Sequence, residues 1–142
     1  MPVYAAEIEI DAPPGRVWAV WSDVLRWPTW TPTLERVEHV EGPEGLGLGA
    51  RYRIVQPKLQ PAVWTVTRAE PGRGFDWRAS APGVQMFAEH LLEPRDGGTF
   101  LRQRVVLSGL LSAPVGWFYG ALSQQYVEQE ARGLKAACEG PG

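Results

Sequence analysis

Hydrophobic and polar residues alternate in seven short segments of the chain, which is the periodicity of half-buried β-strands. In the first segment, Tyr4, Ile8 and Ile10 share one face, whereas Glu7 and Glu9 occupy the other. Clusters of glycine and proline separate the segments and mark turns. The pattern predicts strands over residues 4–10, 34–40, 50–56, 62–69, 75–80, 84–93 and 100–107.

Two short helices are predicted after the first strand. The sequence DAPP at 11–14 ends the strand and begins a helix, because proline suits the first helical turn. Val17 and Trp21 then fall on one helical face. Asp23 is a suitable N-cap for a second short helix, which we expect Pro28 to end.

A long helix is predicted from Pro114 to about Cys138. Glu130 flanks its apolar face, and we expect it to be a solvated charge. Gly133 lies on that face at a cost of about 0.5–1 kcal/mol relative to Ala, so we expect it to allow a close approach to the sheet or to leave room for a ligand. The predicted apolar face comprises Val115, Phe118, Tyr119, Leu122, Tyr126, Gly133 and Ala137, opposite Gln124, Glu128 and Arg132.

The order of these elements defines a fold class. One strand, two short helices, six strands and a long helix follow one another with short turns, which favours antiparallel pairing of the strands. The sequence Asp96-Gly97-Gly98 is a strong hairpin signal. We therefore predict a single α+β domain over residues 1–142, in which one long helix packs on a seven-stranded antiparallel sheet.

Composition limits the chemistry of the chain. The 142 residues include 14 basic and 16 acidic residues, for a net charge of −2, with one Cys and two His. One cysteine excludes an internal disulfide, and this Cys and His content does not predict a zinc site. We expect no metal and no cofactor. No run of Lys and Arg is present, so we expect no nucleic-acid partner.

The sequence predicts neither a targeting segment nor a membrane span. The N-terminus lacks the basic and apolar regions of a signal peptide. The most apolar stretch, residues 105–119, is interrupted by Ser108, Gly109, Ser112 and Pro114 and is shorter than the ~20 residues of a spanning helix. We expect a cytoplasmic protein.

Several reaction classes lack their sequence signature. The chain has no Gly-x-Ser-x-Gly elbow of a serine hydrolase. Cys138 near the C-terminus has no placed histidine partner for thiol catalysis. The glycine-rich loop at 42–49 lacks the Lys-Ser/Thr of a phosphate-binding loop.

Tryptophan is the unusual feature of the composition, with seven Trp beside four Tyr and four Phe. Trp is rarely buried completely, so this number favours either a bulky core or a wide apolar pocket. We predict a rim of four tryptophans on the two short helices, near a cavity mouth, and a pair on the sheet that forms the cavity floor. The four are Trp18, Trp21, Trp27 and Trp30, the pair is Trp64 and Trp77, and Trp117 stands apart.

Several segments of the chain together resemble a known family. They include IEIDAP at 8–13, DVLRWPTW at 23–30, FDW at 75–77, EHLLEP at 89–94 and EARGLK at 130–135. With the order of elements, they resemble the helix-grip fold of the START-like (SRPBCC) superfamily, in its polyketide cyclase/dehydrase and lipid-transport branch. The resemblance implies a sheet wrapped around the C-terminal helix and a hydrophobic ligand held between them. Some members of the superfamily catalyse cyclisation or dehydration there.

His90 is the leading candidate for chemistry. It shares a strand face with Met86, Ala88 and Leu92, and a polar ring among apolar neighbours suits an acid/base or hydrogen-bonding role. The alternative is a core histidine bound to a backbone carbonyl.

The remaining candidates would line a cavity. Two amides, Gln56 and Gln103, share strand faces with apolar residues and would need partners if buried. Aromatic side chains suit a flat hydrophobic ligand. The predicted ligand-binding set is Tyr52, Gln56, Trp64, Trp77, Met86, His90, Gln103, Tyr119, Leu122, Tyr126 and Trp30.

Three functional hypotheses follow from these residues. The first is a binding protein for a small hydrophobic molecule: a polyketide, a lipid or an aromatic metabolite. The second is a cyclase/dehydrase-type enzyme with His90 as acid/base and Gln56, Gln103 or a tyrosine orienting a carbonyl. The third is an interaction protein without a ligand, which would expose a patch of Trp27, Trp30 and Trp117. The sequence leaves a homodimer open.

Overall fold

Seven strands form one antiparallel sheet, as predicted. A computed structural model describes residues 1–140. The strand order is β1-β7-β6-β5-β4-β3-β2, so β2 to β7 form a meander and β1 returns beside β7. The strands are β1 (Val3–Ile10), β2 (Arg36–Glu41), β3 (Arg51–Val55), β4 (Ala62–Glu70), β5 (Gly74–Ala81), β6 (Val84–Arg95) and β7 (Gly98–Ser108).

The hairpin between β6 and β7 shows why the strand prediction succeeded. Its two turn residues, Asp96 and Gly97, have φ of 50° and 81°. A two-residue type I′ turn requires positive φ at both positions, which the Asp-Gly pair adopts readily. The turn fixes the register of the two longest strands, so Arg95 pairs with Gly98 and His90 pairs with Gln103.

Two short helices follow β1. Helix α1 spans Pro14–Trp21 and begins with proline in its first turn, and a 3₁₀ helix spans Val24–Thr29. The prediction for this 3₁₀ helix was wrong in detail. Asp23 makes no capping hydrogen bond and forms an ion pair with Arg26 at 3.5 Å. Pro28 lies inside the helix, which tolerates it because so short a 3₁₀ helix has few internal hydrogen bonds to lose.

The long helix α2 spans Ser112–Glu139 and covers the free edge of β1. The side-chain amide of Gln124 accepts a hydrogen bond from the N–H of Ala5 (3.3 Å) and donates one to its carbonyl oxygen (2.8 Å). At the other end, the guanidinium of Arg16 donates to the carbonyl oxygen of Cys138 at 2.7 Å. These bonds satisfy exposed groups of the strand edge and of the helix C-terminus. Gln124 was predicted to lie on an outer polar face of α2, but its side chain contacts the edge of β1 instead.

The predicted apolar face of α2 is wrong in the first half of the helix. Phe118 and Tyr119 are 75% and 44% exposed. The contact there is made by Gly116 and Gly120, whose absent side chains leave space for Tyr4. A hydrophobicity pattern cannot identify such a face, since glycine carries no apolar side chain. The buried residues of the helix are Tyr126, Val127, Glu130, Ala131, Leu134 and Cys138.

Within residues 1–140, the helices lack the combination of length and hydrophobicity needed to cross a membrane.

Gly133 makes the closest packing contact of α2. A Cβ atom at this position would overlap the carbonyl oxygen of Trp30 and lie 3.2 Å from its ring. Gly133 therefore allows α2 to approach Trp30, the residue that follows the 3₁₀ helix, and not the sheet as predicted. Gly133 does not line the cavity described below.

We expect Gly133→Ala to lower the free energy of unfolding by roughly 1–2 kcal/mol, because overpacking outweighs the gain in helix propensity. Urea denaturation measures this change. Gly15→Ala is the matched control, since a Cβ at this position in α1 meets nothing within 4 Å, and it should leave stability equal or increased. Equal stability of the two variants would contradict the close packing at Gly133.

Candidate functional site

A cavity of about 110 Å³ lies between the inner face of the sheet and α2. The 3₁₀ helix, the segment before β2, the β3–β4 turn, strands β3 to β7 and α2 all contribute to its wall. Most of the wall is apolar, and its polar groups are His90, Gln103, Glu130, Gln56, Ser123 and Tyr126. Its apolar side chains are Trp27, Leu34, Ile54, Leu59, Trp64, Trp77, Met86, Ala88, Val105, Leu107 and Val127.

The cavity exists because a small residue, Ala88, occupies the middle of the sheet surface that faces α2. Trp77 of β5, Ala88 of β6 and Val105 of β7 are direct cross-strand neighbours. Residues in such a row project from the same face at about 4.5–5.5 Å spacing. The methyl group of Ala88 therefore leaves a depression between two larger side chains.

His90 lies at the centre of an aromatic cluster and is 1% exposed. Its ring stacks on that of Phe75, its cross-strand neighbour, with the centroids 4.0 Å apart and the planes inclined by 8°. The rings of Trp21, Trp27 and Trp77 surround it at centroid distances of 5.3, 6.0 and 5.4 Å. The imidazole is thereby held in one orientation and shielded from water.

The tautomer of His90 follows from its hydrogen bond. Its Nδ1 lies 3.1 Å from the carbonyl oxygen of Phe75. A carbonyl can only accept, so Nδ1 carries the hydrogen and Nε2 has a free lone pair. Burial lowers the pKa of His90 to about 3, against the opposing effect of the bond to Phe75. The ring is therefore neutral at physiological pH and presents an acceptor.

Gln103 links the sheet to the helix across this site. It is the cross-strand neighbour of His90 on β7, and its side-chain amide donates a hydrogen bond to Glu130 of α2 at 3.0 Å. The two side chains are 4% and 7% exposed. Buried amides and carboxyls need such partners, and each group here satisfies the other.

Glu130 is the residue that the sequence analysis misjudged. It was expected to be solvated but is buried, since α2 turns the stripe of Tyr126, Glu130, Leu134 and Cys138 toward the sheet. Burial raises its pKa to about 7, although hydrogen bonds from Gln103 and Thr33 act in the opposite direction. The four-residue spacing of this stripe was the available signal, because such positions share a helical face.

Tyr126 connects the helix to the β3–β4 turn. Its hydroxyl donates a hydrogen bond to the carbonyl oxygen of Pro57, next to Gln56 in the cavity wall. Burial raises the pKa of Tyr126, with a smaller contribution from the charge of Glu35. The hydroxyl is therefore a neutral hydrogen-bond donor committed to the backbone.

The structure brings together only part of the predicted ligand-binding set. Around the cavity lie Gln56, Trp64, Trp77, Met86, His90, Gln103 and Tyr126. The other four, Tyr52, Trp30, Tyr119 and Leu122, do not line it. Trp30 packs on Trp27 with ring centroids 5.4 Å apart, whereas the side chain of Tyr119 is exposed.

The predicted rim of tryptophans does not form. Trp21 and Trp27 are each 1% exposed and belong to the core, while Trp18 and Trp30 are half-buried against it. Trp18 and Trp21 meet Phe75 edge-on and Trp27 is tilted against it, which are geometries that aromatic pairs favour. Of the four, only Trp27 reaches the cavity wall.

A second cavity of about 390 Å³ lies between the 3₁₀ helix and the loop that follows β2. It is lined by Tyr52, His39, Asp23 and Glu44 among others. Tyr52 is buried, and desolvation, followed by the charge of Asp23, raises its pKa. The other three polar residues are exposed. We therefore regard the first cavity, with its buried polar groups, as the candidate site.

Solved structures from distant organisms share the fold. A START superfamily protein from Mycobacterium smegmatis is similar over 98% of both chains, with a TM-score of 0.78 at 15% identity. A protein from Thermus thermophilus matches over 96% of this chain and 97% of its own, with a TM-score of 0.77 at 19% identity. A hypothetical protein from Helicobacter pylori has a TM-score of 0.82 at 13% identity, over 96% of this chain and 88% of its own.

A comparison with curated proteins finds no sequence match. The family model described as polyketide cyclase/dehydrase and lipid transport matches residues 1–139. The helix-grip architecture agrees with that match, since α2 packs on one face of a seven-stranded antiparallel sheet. The chain therefore belongs to the polyketide cyclase/dehydrase and lipid-transport family.

Proposed function

We propose that the protein binds a small, largely apolar molecule in the cavity beneath α2. The observation that carries the proposal is the convergence of three buried polar side chains, His90, Gln103 and Glu130, on a cavity whose wall is otherwise mostly apolar. Binding sites typically combine an apolar wall with a few placed polar groups. Membership of the family supports the same class of function.

The size of the cavity narrows the ligand class. Its volume of about 110 Å³ is well below the ~300–1,000 Å³ typical of drug-sized ligands. Among a polyketide, a lipid and an aromatic metabolite, the volume favours an aromatic metabolite of one ring. The side chains of Trp27, Trp64 and Trp77 line the wall and would provide aromatic contacts to such a ligand.

The two other hypotheses receive less support. An enzyme that used His90 as acid/base at neutral pH would need an imidazole that titrates there, but the pKa of His90 is about 3. An interaction surface of Trp27, Trp30 and Trp117 is not formed, since Trp27 is 1% exposed. Trp117 is 81% exposed and pairs instead with Phe118.

Filling the cavity should abolish binding. Ser123 faces the cavity from α2, and Ser123→Phe would place a ring in the space of the ligand. We expect the affinity for benzyl alcohol, followed by ¹H–¹⁵N NMR titration, to fall about tenfold or more, because a filled pocket cannot accommodate both rings.

Ala121→Phe is the matched control for Ser123→Phe. Ala121 is an exposed residue two positions earlier in α2, so this variant adds the same ring outside the cavity and should bind as the unmodified protein does. Equal binding by both variants would place the ligand elsewhere.

Glu130→Gln should change how stability depends on pH. The pKa of Glu130 is about 7 in the folded protein, against 4.5 for an unperturbed carboxyl. Between these values the folded state retains a proton that the unfolded chain releases, so the carboxyl lowers stability as the pH rises. Relative to the unmodified protein, Glu130→Gln should gain ~2.5 kcal/mol in free energy of unfolding between pH 5 and pH 8.

Urea denaturation at several pH values measures this difference. His90 contributes equally to the pH dependence of both proteins, so its contribution cancels in the difference. Glu128→Gln, which removes an exposed carboxylate of the same helix, should show no comparable gain. A constant difference between Glu130→Gln and the unmodified protein from pH 5 to pH 8 would contradict the buried, proton-retaining carboxyl.

A further inference from the structure

The charges around the cavity are unbalanced. Within the described residues, its wall contains no Lys or Arg, one carboxyl group, Glu130, and one imidazole, His90. The causes that set the pKa of Glu130 are burial and the hydrogen bonds of Gln103 and Thr33, with no contribution from a cation. A ligand that enters the cavity therefore meets one acidic side chain, and no Lys or Arg in the described wall balances that acid.

Gln56, Gln103 and Ser123 can each donate as well as accept, whereas the imidazole and the carboxyl of the site offer acceptors. His90 commits Nδ1 to Phe75, which leaves the Nε2 lone pair, and no described residue donates to Nε2. Glu130 accepts hydrogen bonds from Gln103 at Oε1 and from Thr33, whereas a carboxylate accepts about four. Tyr126 has committed its hydroxyl hydrogen to Pro57.

These acceptors lie at one end of the cavity. His90 and Gln103 are directly opposed on adjacent strands, and Gln103 contacts the carboxyl of Glu130. The imidazole and the carboxyl therefore flank the same amide.

We infer that this cavity selects a single-ring aromatic amine in its protonated form and rejects carboxylates of the same shape. The inference rests on the proposed ligand-binding function and names the ligand class. An ammonium group has three donors and no acceptor, which complements His90 Nε2 and Glu130. Its charge is further stabilised by the indole faces in the wall, through cation–π attraction. A carboxylate would lose its hydration without a cation to balance its charge, and it would face the carboxyl of Glu130.

The ionisation of Glu130 couples this selection to pH. Its neighbours Gln103 on β7 and Thr33 before β2 are neutral; His90 on β6 is neutral at these pH values, and Tyr126 on α2 carries a protonated hydroxyl. Glu130 is thus the group that changes charge near pH 7. Binding of an ammonium ligand should strengthen as the pH rises from 6 to 8, whereas binding of a neutral alcohol should change little.

Benzylamine, benzyl alcohol and benzoate test the inference, because they share one ring and differ in the charge and donors of the substituent. Dissociation constants are measured by ¹H–¹⁵N NMR at pH 6 and pH 8. At pH 8 we expect benzylamine to bind at least about tenfold more tightly than benzoate, since the ammonium forms a charge-assisted hydrogen bond with Glu130 that benzoate cannot form. In Glu130→Gln, the ratio of the affinities for benzylamine and benzyl alcohol should fall about tenfold.

The outcomes separate the two proposals. If none of the three probes binds, the proposed function fails and the inference fails with it. If the probes bind with equal affinity, or benzoate binds most tightly, the binding function stands and the charge selection is overturned. The pH series on the unmodified protein decides the matter if Glu130→Gln does not fold: affinity for benzylamine that does not change from pH 6 to pH 8 overturns the inference.

Discussion

The hydrogen bond between Gln103 and Glu130 is the constraint on which the site depends. A carboxyl group buried between a sheet and a helix is destabilising unless it is paired, and Gln103 supplies that pairing from β7. The bond fixes α2 above the sheet at the level of His90. Tyr126, one turn earlier in the helix, is then placed to reach Pro57. The cavity lies between α2 and the sheet, where the Gln103–Glu130 and Tyr126–Pro57 hydrogen bonds join them.

A second constraint acts on the sheet side, where aromatic packing determines the chemistry of His90. Phe75, His90 and Gln103 form one cross-strand row. The stacked ring of Phe75 and the edge-on rings around the imidazole exclude water, so the charged form of His90 is strongly disfavoured. The aromatic core therefore determines that His90 offers a lone pair rather than a proton.

The sequence predicted the sheet well because its information is local. Short turns such as Asp96-Gly97 and strict alternation define each hairpin without knowledge of distant residues. The orientation of α2 could not be predicted in the same way. Its first half packs through Gly116 and Gly120, which a hydrophobicity pattern ignores, so the exposed aromatic residues of that half were assigned to the core.

In the candidate site, too, the residues on strands were predicted better than the residues on α2. Side chains on the strands, such as Gln103 and His90, were placed correctly on the inner face, because alternation has a period of two and leaves only two choices. Glu130 was assigned to solvent because acidic residues are rarely buried. Its burial depends on the rotation of α2, which tertiary contacts at both ends of the helix determine.

Two costs to stability coincide at this site, and their coincidence argues for function. Space that no side chain fills forgoes packing contacts between the sheet and α2, which costs stability. The buried carboxyl of Glu130 adds a second cost at pH values above its raised pKa. A larger residue at position 88 would remove the first cost, and an apolar pair at 103 and 130 would remove the second. Features that oppose stability and fall on the same few side chains are expected at functional sites rather than in an optimised core. A ligand of complementary charge, as proposed above, would offset both costs, because it would fill the space and provide Glu130 with a counter-charge.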